Sequence, residues 1–187
     1  MGCSVIYRGT VRDLYINQPA PPLLPLMESK NQIPDVFPPT GIINRDDIQF
    51  FDHKELIKQS QLIHIYDLTI YSEDYIKGFI IEYNIDGSVK RTSHIRGHHG
   101  KEDRLILGTS DYIQKIEITY DKYVNSISFQ TAQGQNFLAQ GKKGPGSQIQ
   151  NVDFTKQKRG VVGFKGEISE FLSALYVYSW KLRDRIV

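Results

Sequence analysis

Three histidines, His94, His98 and His99, are the first residues whose type and spacing suggest chemistry. On a helix, His94 and His98 would share one face at a spacing that suits a metal ion. Gly97 and Gly100 argue against a helix there. On a strand the two rings stand about 13 Å apart, at about 3.3 Å per residue, too far to share one zinc. A polar hairpin without a metal is therefore expected. Asp46-Asp47 and Glu102-Asp103 are adjacent pairs whose side chains diverge on an extended chain, so they read as solvated loop charges rather than an acid–base pair. No G-x-S-x-G, P-loop or H-E-x-x-H pattern occurs. No catalytic residue and no cofactor is assigned.

Two further features bear on binding. Met1-Gly2-Cys3-Ser4 resembles an acylation signal, but the myristoylation pattern asks for Ser or Thr where this chain has Ile6, so an unmodified terminus is the expectation. Between Gly141 and Lys165 lie six basic residues, Lys142, Lys143, Lys156, Lys158, Arg159 and Lys165, against the single acid Asp153. That window carries a net +5 and leaves −3 for the rest of a chain whose total is +2. It reads either as a solvated loop or as a docking surface for an acidic partner.

The elements that must position these residues follow from composition and patterning. A net charge of only +2 excludes a strongly basic nucleic-acid binder. One cysteine excludes an intrachain disulfide, and no apolar run approaches the length of a membrane span. No secretory signal is read at the start, so a cytoplasmic or cytoskeletal location is expected. Seven of the eight prolines fall between Pro19 and Pro39, a stretch that neither continues a helix nor donates to a β-ladder. Residues 1–45 are accordingly read as an extended Pro-rich arm and 46–187 as the folded domain. The arm carries Leu23, Leu24, Leu26, Met27, Ile33, Val36, Phe37, Ile42 and Ile43, more apolar surface than a solvated spacer tolerates. It is expected to lie along its own domain or a protein partner, with Val5–Ile16 prone to add as a strand to a sheet edge.

The domain reads as β almost throughout. Ile116–Tyr120 alternates apolar and polar residues, and Ser126–Gln130 alternates in the opposite phase. Turn signals recur at Asp86-Gly87, Gly97 and Gly100, Gly108, Asp121-Lys122, Gln133-Gly134, Gly141–Gly146 and Gly160. Asp52-His53-Lys54-Glu55 has the form of a capping box and predicts one helical turn before Leu56-Ile57. Tyr75–Tyr83 is similar to Tyr112–Tyr120, and Val161–Phe164 echoes Ile76–Phe79, which suggests three copies of one β unit.

On these residues the chain resembles the jacalin-related lectins. The likeness runs through Ile81–Ser88, Leu105-Ile106-Leu107, Tyr112-Ile113, Ile127–Thr131, Val161–Gly166 and Phe171–Ala174. It implies an all-β fold, a β-prism of three Greek-key sheets with pseudo-threefold symmetry. It also implies a sugar site, in which one loop carries glycine, three residues, then aspartate, before the last strand. The glycine lets a sugar reach the backbone and the aspartate accepts hydrogen bonds from sugar hydroxyls. The corresponding residues here are Ser169, Glu170, Phe171, Leu172 and Ser173, with serine at both key positions. A second family glycine, ahead of a Phe-Asp pair, falls near Ile48 and is also missing. Two readings stand. One is a non-enzymatic module with a degenerate sugar site, a structural or protein-interaction subunit that engages its partner partly through the arm. The other is a working mannose- or galactose-class lectin with a non-standard loop, in which Glu170 supplies the carboxylate.

Overall fold

Alternating apolar residues build twelve strands in a computed structural model that describes residues 48–60, 62–96 and 100–182, with the backbone of Asp35–Val36. The strands are β1 (Asp35–Val36), β2 (Gln49–Asp52), β3 (Ile63–Ser72), β4 (Ile76–Ile85), β5 (Ser88–Ile95), β6 (Lys101–Ile106), β7 (Ile113–Tyr120), β8 (Val124–Thr131), β9 (Asn136–Gln140), β10 (Gln148–Asp153), β11 (Arg159–Ile168) and β12 (Leu172–Lys181). They form three antiparallel four-stranded sheets, ordered β1-β12-β11-β2, β10-β7-β8-β9 and β5-β4-β3-β6. In the last two, three hairpin-linked strands are followed by a fourth that returns beside the first, the Greek-key arrangement. The first is assembled from both parts of the chain, β1 and β2 bracketing the β11–β12 hairpin. The expected three-sheet prism is thus the observed fold.

Inward-facing residues of all three sheets meet in one core. Leu68, Ile81 and Leu105 come from one sheet, Ile116, Ile118 and Ile127 from another, and Phe164, Val177 and Trp180 from the third. Each is 2% exposed or less. Burial of such a side chain is worth about 1.5–3 kcal/mol, so the sheets hold one another rather than standing alone.

The expected helical turn is α1 (Lys54–Lys58), though the box is not closed as expected. Asp52 accepts the Lys54 N–H at 2.8 Å, but Glu55 turns forward to Lys58 at 3.1 Å instead of back. His53, at the helix entrance, uses its ring elsewhere. Asp86-Gly87 forms the β4–β5 turn, with both residues at positive φ. Gly160 lies inside β11, and the bend before it falls at Lys158, φ +49°. Of the arm, Asp35–Val36 pairs with Ser179 and Tyr178 of β12. Val5–Ile16 and the other arm residues lie outside the described residues.

The threefold relation differs from the sequence repeat. Three hairpins, β3–β4, β7–β8 and β11–β12, each turn over three residues: Glu73-Asp74-Tyr75, Asp121-Lys122-Tyr123 and Ser169-Glu170-Phe171. In each, the first residue's N–H donates to the third residue's carbonyl, at 2.9, 3.1 and 3.0 Å. The repeat therefore relates β4 to β8 and β12. The similarity of Tyr75–Tyr83 to Tyr112–Tyr120 instead pairs β4 with β7, which are not equivalent strands.

Candidate functional site

The third residue of each equivalent turn is aromatic, and the three side chains meet at one end of the prism. Tyr75, Tyr123 and Phe171 pack with ring centroids 5.2–5.3 Å apart, tilted 54–65°. That edge-on geometry is favourable for aromatic quadrupoles, and it caps the prism. Phe171, a candidate site residue, is thus a structural plug. Leu172 is fully buried in the core.

The first residue of each turn faces the first side chain but one of the strand that follows. In the β3–β4 turn these are Glu73 and Lys77, ion-paired at 2.8 Å. In the β7–β8 turn Asn125 Oδ1 accepts the Asp121 N–H at 3.0 Å, and its Nδ2 donates to Asp121 Oδ2 at 3.4 Å. In the β11–β12 turn they are Ser169 and Ser173, whose side chains do not bond each other. Ser173 Oγ lies 3.4 Å from the Phe171 carbonyl, and Ser169 Oγ is buried without a partner. The two serines are 7% and 2% exposed. Only Glu170 projects into solvent from this turn.

The backbone at Ser169 lies outside the left-handed region. The turn itself makes no demand for glycine there, so serine strains no backbone; its Cβ matters to a ligand approaching the backbone. On the other side, Ile168 pairs with Gln49. Extending that register by one residue sets Ile48 beside Ser169, so the two departures from the family pattern are neighbours in space. Glu167 is a carboxylate that sequence reasoning passed over. It pairs across the ladder with the exposed Phe50, yet is itself nine-tenths buried with Oε2 lacking a partner.

The basic window does not form one patch. Lys142 and Lys143 lie at the turn end, where their N–H groups donate to the Glu73 and Asp74 carbonyls. Lys156, Lys158 and Arg159 lie at the opposite end of β11, about 30 Å away at about 3.3 Å per residue. Arg159 is committed to Ser179, donating to its hydroxyl at 3.1 Å and its carbonyl at 2.9 Å. Lys165 lies between, its ammonium over the Tyr176 ring at 5.3 Å.

His98 and His99 lie outside the described residues, and among the described residues no group of three His, Cys, Asp or Glu side chains is placed to hold a metal. His94 faces His53, a partner 41 positions away that no sequence spacing could reveal. Glu102 and Asp103 fall opposite Tyr71 and Ile70 on successive positions of β6 and so diverge, and Asp103 is ion-paired with Lys101 at 2.7 Å. No described helix is long and apolar enough to cross a membrane. An open groove of about 630 Å³ crosses the outer face of the β10-β7-β8-β9 sheet, and a smaller one of about 210 Å³ lies on the β5-β4-β3-β6 sheet. Neither is lined by residues of the three turns.

Comparison with known proteins agrees with this geometry. The model of the jacalin-like lectin domain matches residues 44–178. The fold is similar to that of wild-type Malaysian banana lectin, with a TM-score of 0.63 and 15% identity over 80% of this chain and 99% of that one. It is similar to artocarpin in complex with mannotriose, at 0.63 and 16% over 79% and 98%. A mannose-binding jacalin-related lectin from Ananas comosus gives 0.61 and 17% over 80% and 99%. No match is found among curated proteins.

Proposed function

This chain belongs to the jacalin-like lectin domain family, and from that premise we propose that it is a non-enzymatic binding module whose sugar turn is closed. Its role is that of a protein-interaction subunit, engaged partly through the Pro-rich arm. The observation that carries this reading is the burial of Ser169 and Ser173, at 7% and 2% exposure, in the turn where the family places glycine and aspartate. Each hydrogen bond to a charged acceptor is worth about 1.5–3 kcal/mol, and a monosaccharide site of ~mM affinity has only about 4 kcal/mol in total. Without its carboxylate such a site has little left.

Support for a protein partner comes from the edges. Phe50, Val89, Ile106, Leu138 and Ile149 are large apolar side chains more than half exposed, and each lies on an edge strand. Edge strands are where natural sheets ordinarily carry charge, so apolar residues there favour contact with another surface. The mannose-binding relatives support the alternative, a working lectin using Glu170.

The test is a pair of measurements. Titration of mannose and galactose followed by NMR shifts should show no saturable change in the wild-type protein. Pull-down with the full chain should retain a protein partner that is lost when residues 1–34 are removed, a cut that leaves Asp35–Val36 to pair with β12. Saturable sugar binding abolished by Glu170→Gln would establish the lectin reading instead.

A further inference from the structure

A histidine pair, one ring buried and the other half-buried, joins two sheets of the prism. His53 follows β2 and is 3% exposed. Its ring lies between β11 and β4, with His94 of β5 against its outer nitrogen. Gly163 leaves the room for this, since a Cβ there would stand 3.2 Å from His53 Cβ and 2.9 Å from Ile57 Cδ1. The His94 ring stacks on Phe51, with centroids 4.6 Å apart at 21°, and meets the Phe79 ring edge-on at 5.8 Å.

The hydrogen bonds fix where the protons are. The Phe164 backbone N–H can only donate, and it points at His53 Nδ1 from 3.1 Å. Nδ1 therefore carries a lone pair, which also accepts the Tyr83 hydroxyl at 2.8 Å. The proton of the neutral ring sits on Nε2, 2.8 Å from His94 Nε2. That bond needs a lone pair on His94 Nε2, so the His94 proton is on Nδ1. Each ring has one basic nitrogen, and each such nitrogen is already an acceptor. A proton added to His53 meets the Phe164 N–H. A proton added to His94 meets the His53 N–H.

The surroundings reinforce this. From β4 comes Tyr83, whose burial pushes its own ionisation well up, so it stays a neutral donor. From β11 come the Gly163 and Phe164 backbone, and from β5 the other imidazole. From β2 comes Asp52, a carboxylate favouring a proton on His53, but it is engaged by the Tyr178 hydroxyl at 2.9 Å and the Lys54 N–H at the entrance of α1. Burial, and then the facing His94, push His53 down to about 3, and burial pushes His94 down.

We propose that the His53–His94 contact is a pH-operated clasp between the β2–α1 junction and edge strand β5, closed when both rings are neutral and opened by protonation of His94. Among the described residues strand β5 is bonded on one side only, to β4, so losing the clasp loosens an edge and uncovers the Phe51 and Phe79 rings beneath His94. His94, the more exposed ring, is the one that acid reaches first.

The experiment uses the full-length protein. Nitrogen-resolved NMR of the rings at pH 7.5 should show the Nε2–H form of His53 and the Nδ1–H form of His94. Both forms should persist below pH 6.5, with His94 titrating before His53. Hydrogen exchange corrected for intrinsic rates should show β5 protection falling at least tenfold relative to β8 between pH 7.5 and 5. In His94→Gln, whose amide oxygen accepts the His53 N–H and does not titrate, β5 protection should stay level. In His53→Asn, His94 should titrate closer to the ordinary histidine value. Rings that titrate independently near 6.5, or a fall in β5 protection equal in wild type and His94→Gln, would overturn the clasp.

Discussion

If two serines silence the sugar turn, replacing them should reopen it, and the structure sets the size of the effect. The perturbation is Ser169→Gly with Ser173→Asp. Removing the Ser169 side chain deletes a buried hydroxyl without a partner, whose burial costs about 1–3 kcal/mol. Glycine in the turn costs about 0.5–1 kcal/mol in chain entropy, so this half is close to neutral. The aspartate enters a site 2% exposed, and an unpaired carboxylate there would be strongly unfavourable. The equivalent residue of the β7–β8 turn shows the remedy: Asn125 Oδ1 takes the N–H of the first turn residue at 3.0 Å. An aspartate at position 173 is placed to take the same N–H, a charge-assisted bond worth about 1.5–3 kcal/mol. The two halves should offset to within about 2 kcal/mol, less than about 8 °C in Tm at about 2–4 °C per kcal/mol for a domain of this size. With the turn folded and the backbone open, mannose should bind at ~mM Kd, about −4 kcal/mol. Thermal melting and an NMR shift titration read the two quantities. A folded double mutant that binds no sugar would refute the claim that these two positions are what closes the turn. Wild-type binding as tight as the double mutant's would refute the claim that the turn is closed.

Three other outcomes follow from the same geometry. Ser173→Asn copies the Asn125 arrangement, a second acceptor for the Ser169 N–H, and should stabilise by about 1 kcal/mol, raising Tm by about 2–4 °C; a lower Tm would count against the equivalence of the turns. Phe171→Ala removes one ring of the aromatic cap and should cost about 3–5 kcal/mol in urea unfolding, while a loss below about 1 kcal/mol would show the cap to be ornamental. His53 is neutral in the fold down to about 3 but takes up a proton near 6.5 when unfolded, so its contribution is full at neutral pH and declines as pH falls below 6.5. By pH 5 it should account for about 2 kcal/mol of lost stability, absent in His53→Asn; equal losses in both proteins would remove His53 as the cause.

The fold was legible where the signal is local. Alternation in Ile116–Tyr120 and Ser126–Gln130 marked two strands that are in fact neighbours, with Ile118 opposite Ile127. Asp86-Gly87 marked a turn because both residues adopt positive φ, which favours those types. Asp121-Lys122 marked one of the three equivalent turns and the resemblance another, but nothing marked Glu73-Asp74-Tyr75 or the equivalence of all three, because their backbones avoid the left-handed region and so need no glycine. Similarity between Tyr75–Tyr83 and Tyr112–Tyr120 was misleading for a physical reason: β4 and β7 both alternate large apolar residues into the same core, and that demand makes non-equivalent strands alike. The site was half legible. Family resemblance located the turn at Ser169–Ser173, but Phe171 as a cap, Glu167 as a buried carboxylate with Oε2 unpartnered and His53 opposite His94 all depend on residues that only the folded chain brings together.

The three turns also show why this fold can lose a sugar site without losing itself. Structure and chemistry sit on different residues of the same hairpin. The third turn residue, Tyr75, Tyr123 or Phe171, carries the fold by closing the end of the prism. The first turn residue and the one four positions later carry whatever polar chemistry the turn has: an ion pair in Glu73 and Lys77, an amide–carboxylate pair in Asp121 and Asn125, nothing in Ser169 and Ser173. The backbone hydrogen bond that shapes the turn uses only main-chain atoms and is the same length in all three to within 0.2 Å. Substitution at the polar positions therefore leaves the turn's shape intact, as three different pairs on one geometry demonstrate. On the proposed reading, a ligand-binding carboxylate at such a position is held by function alone, and its replacement by serine would remove binding while the cap, the hairpin and the core remain.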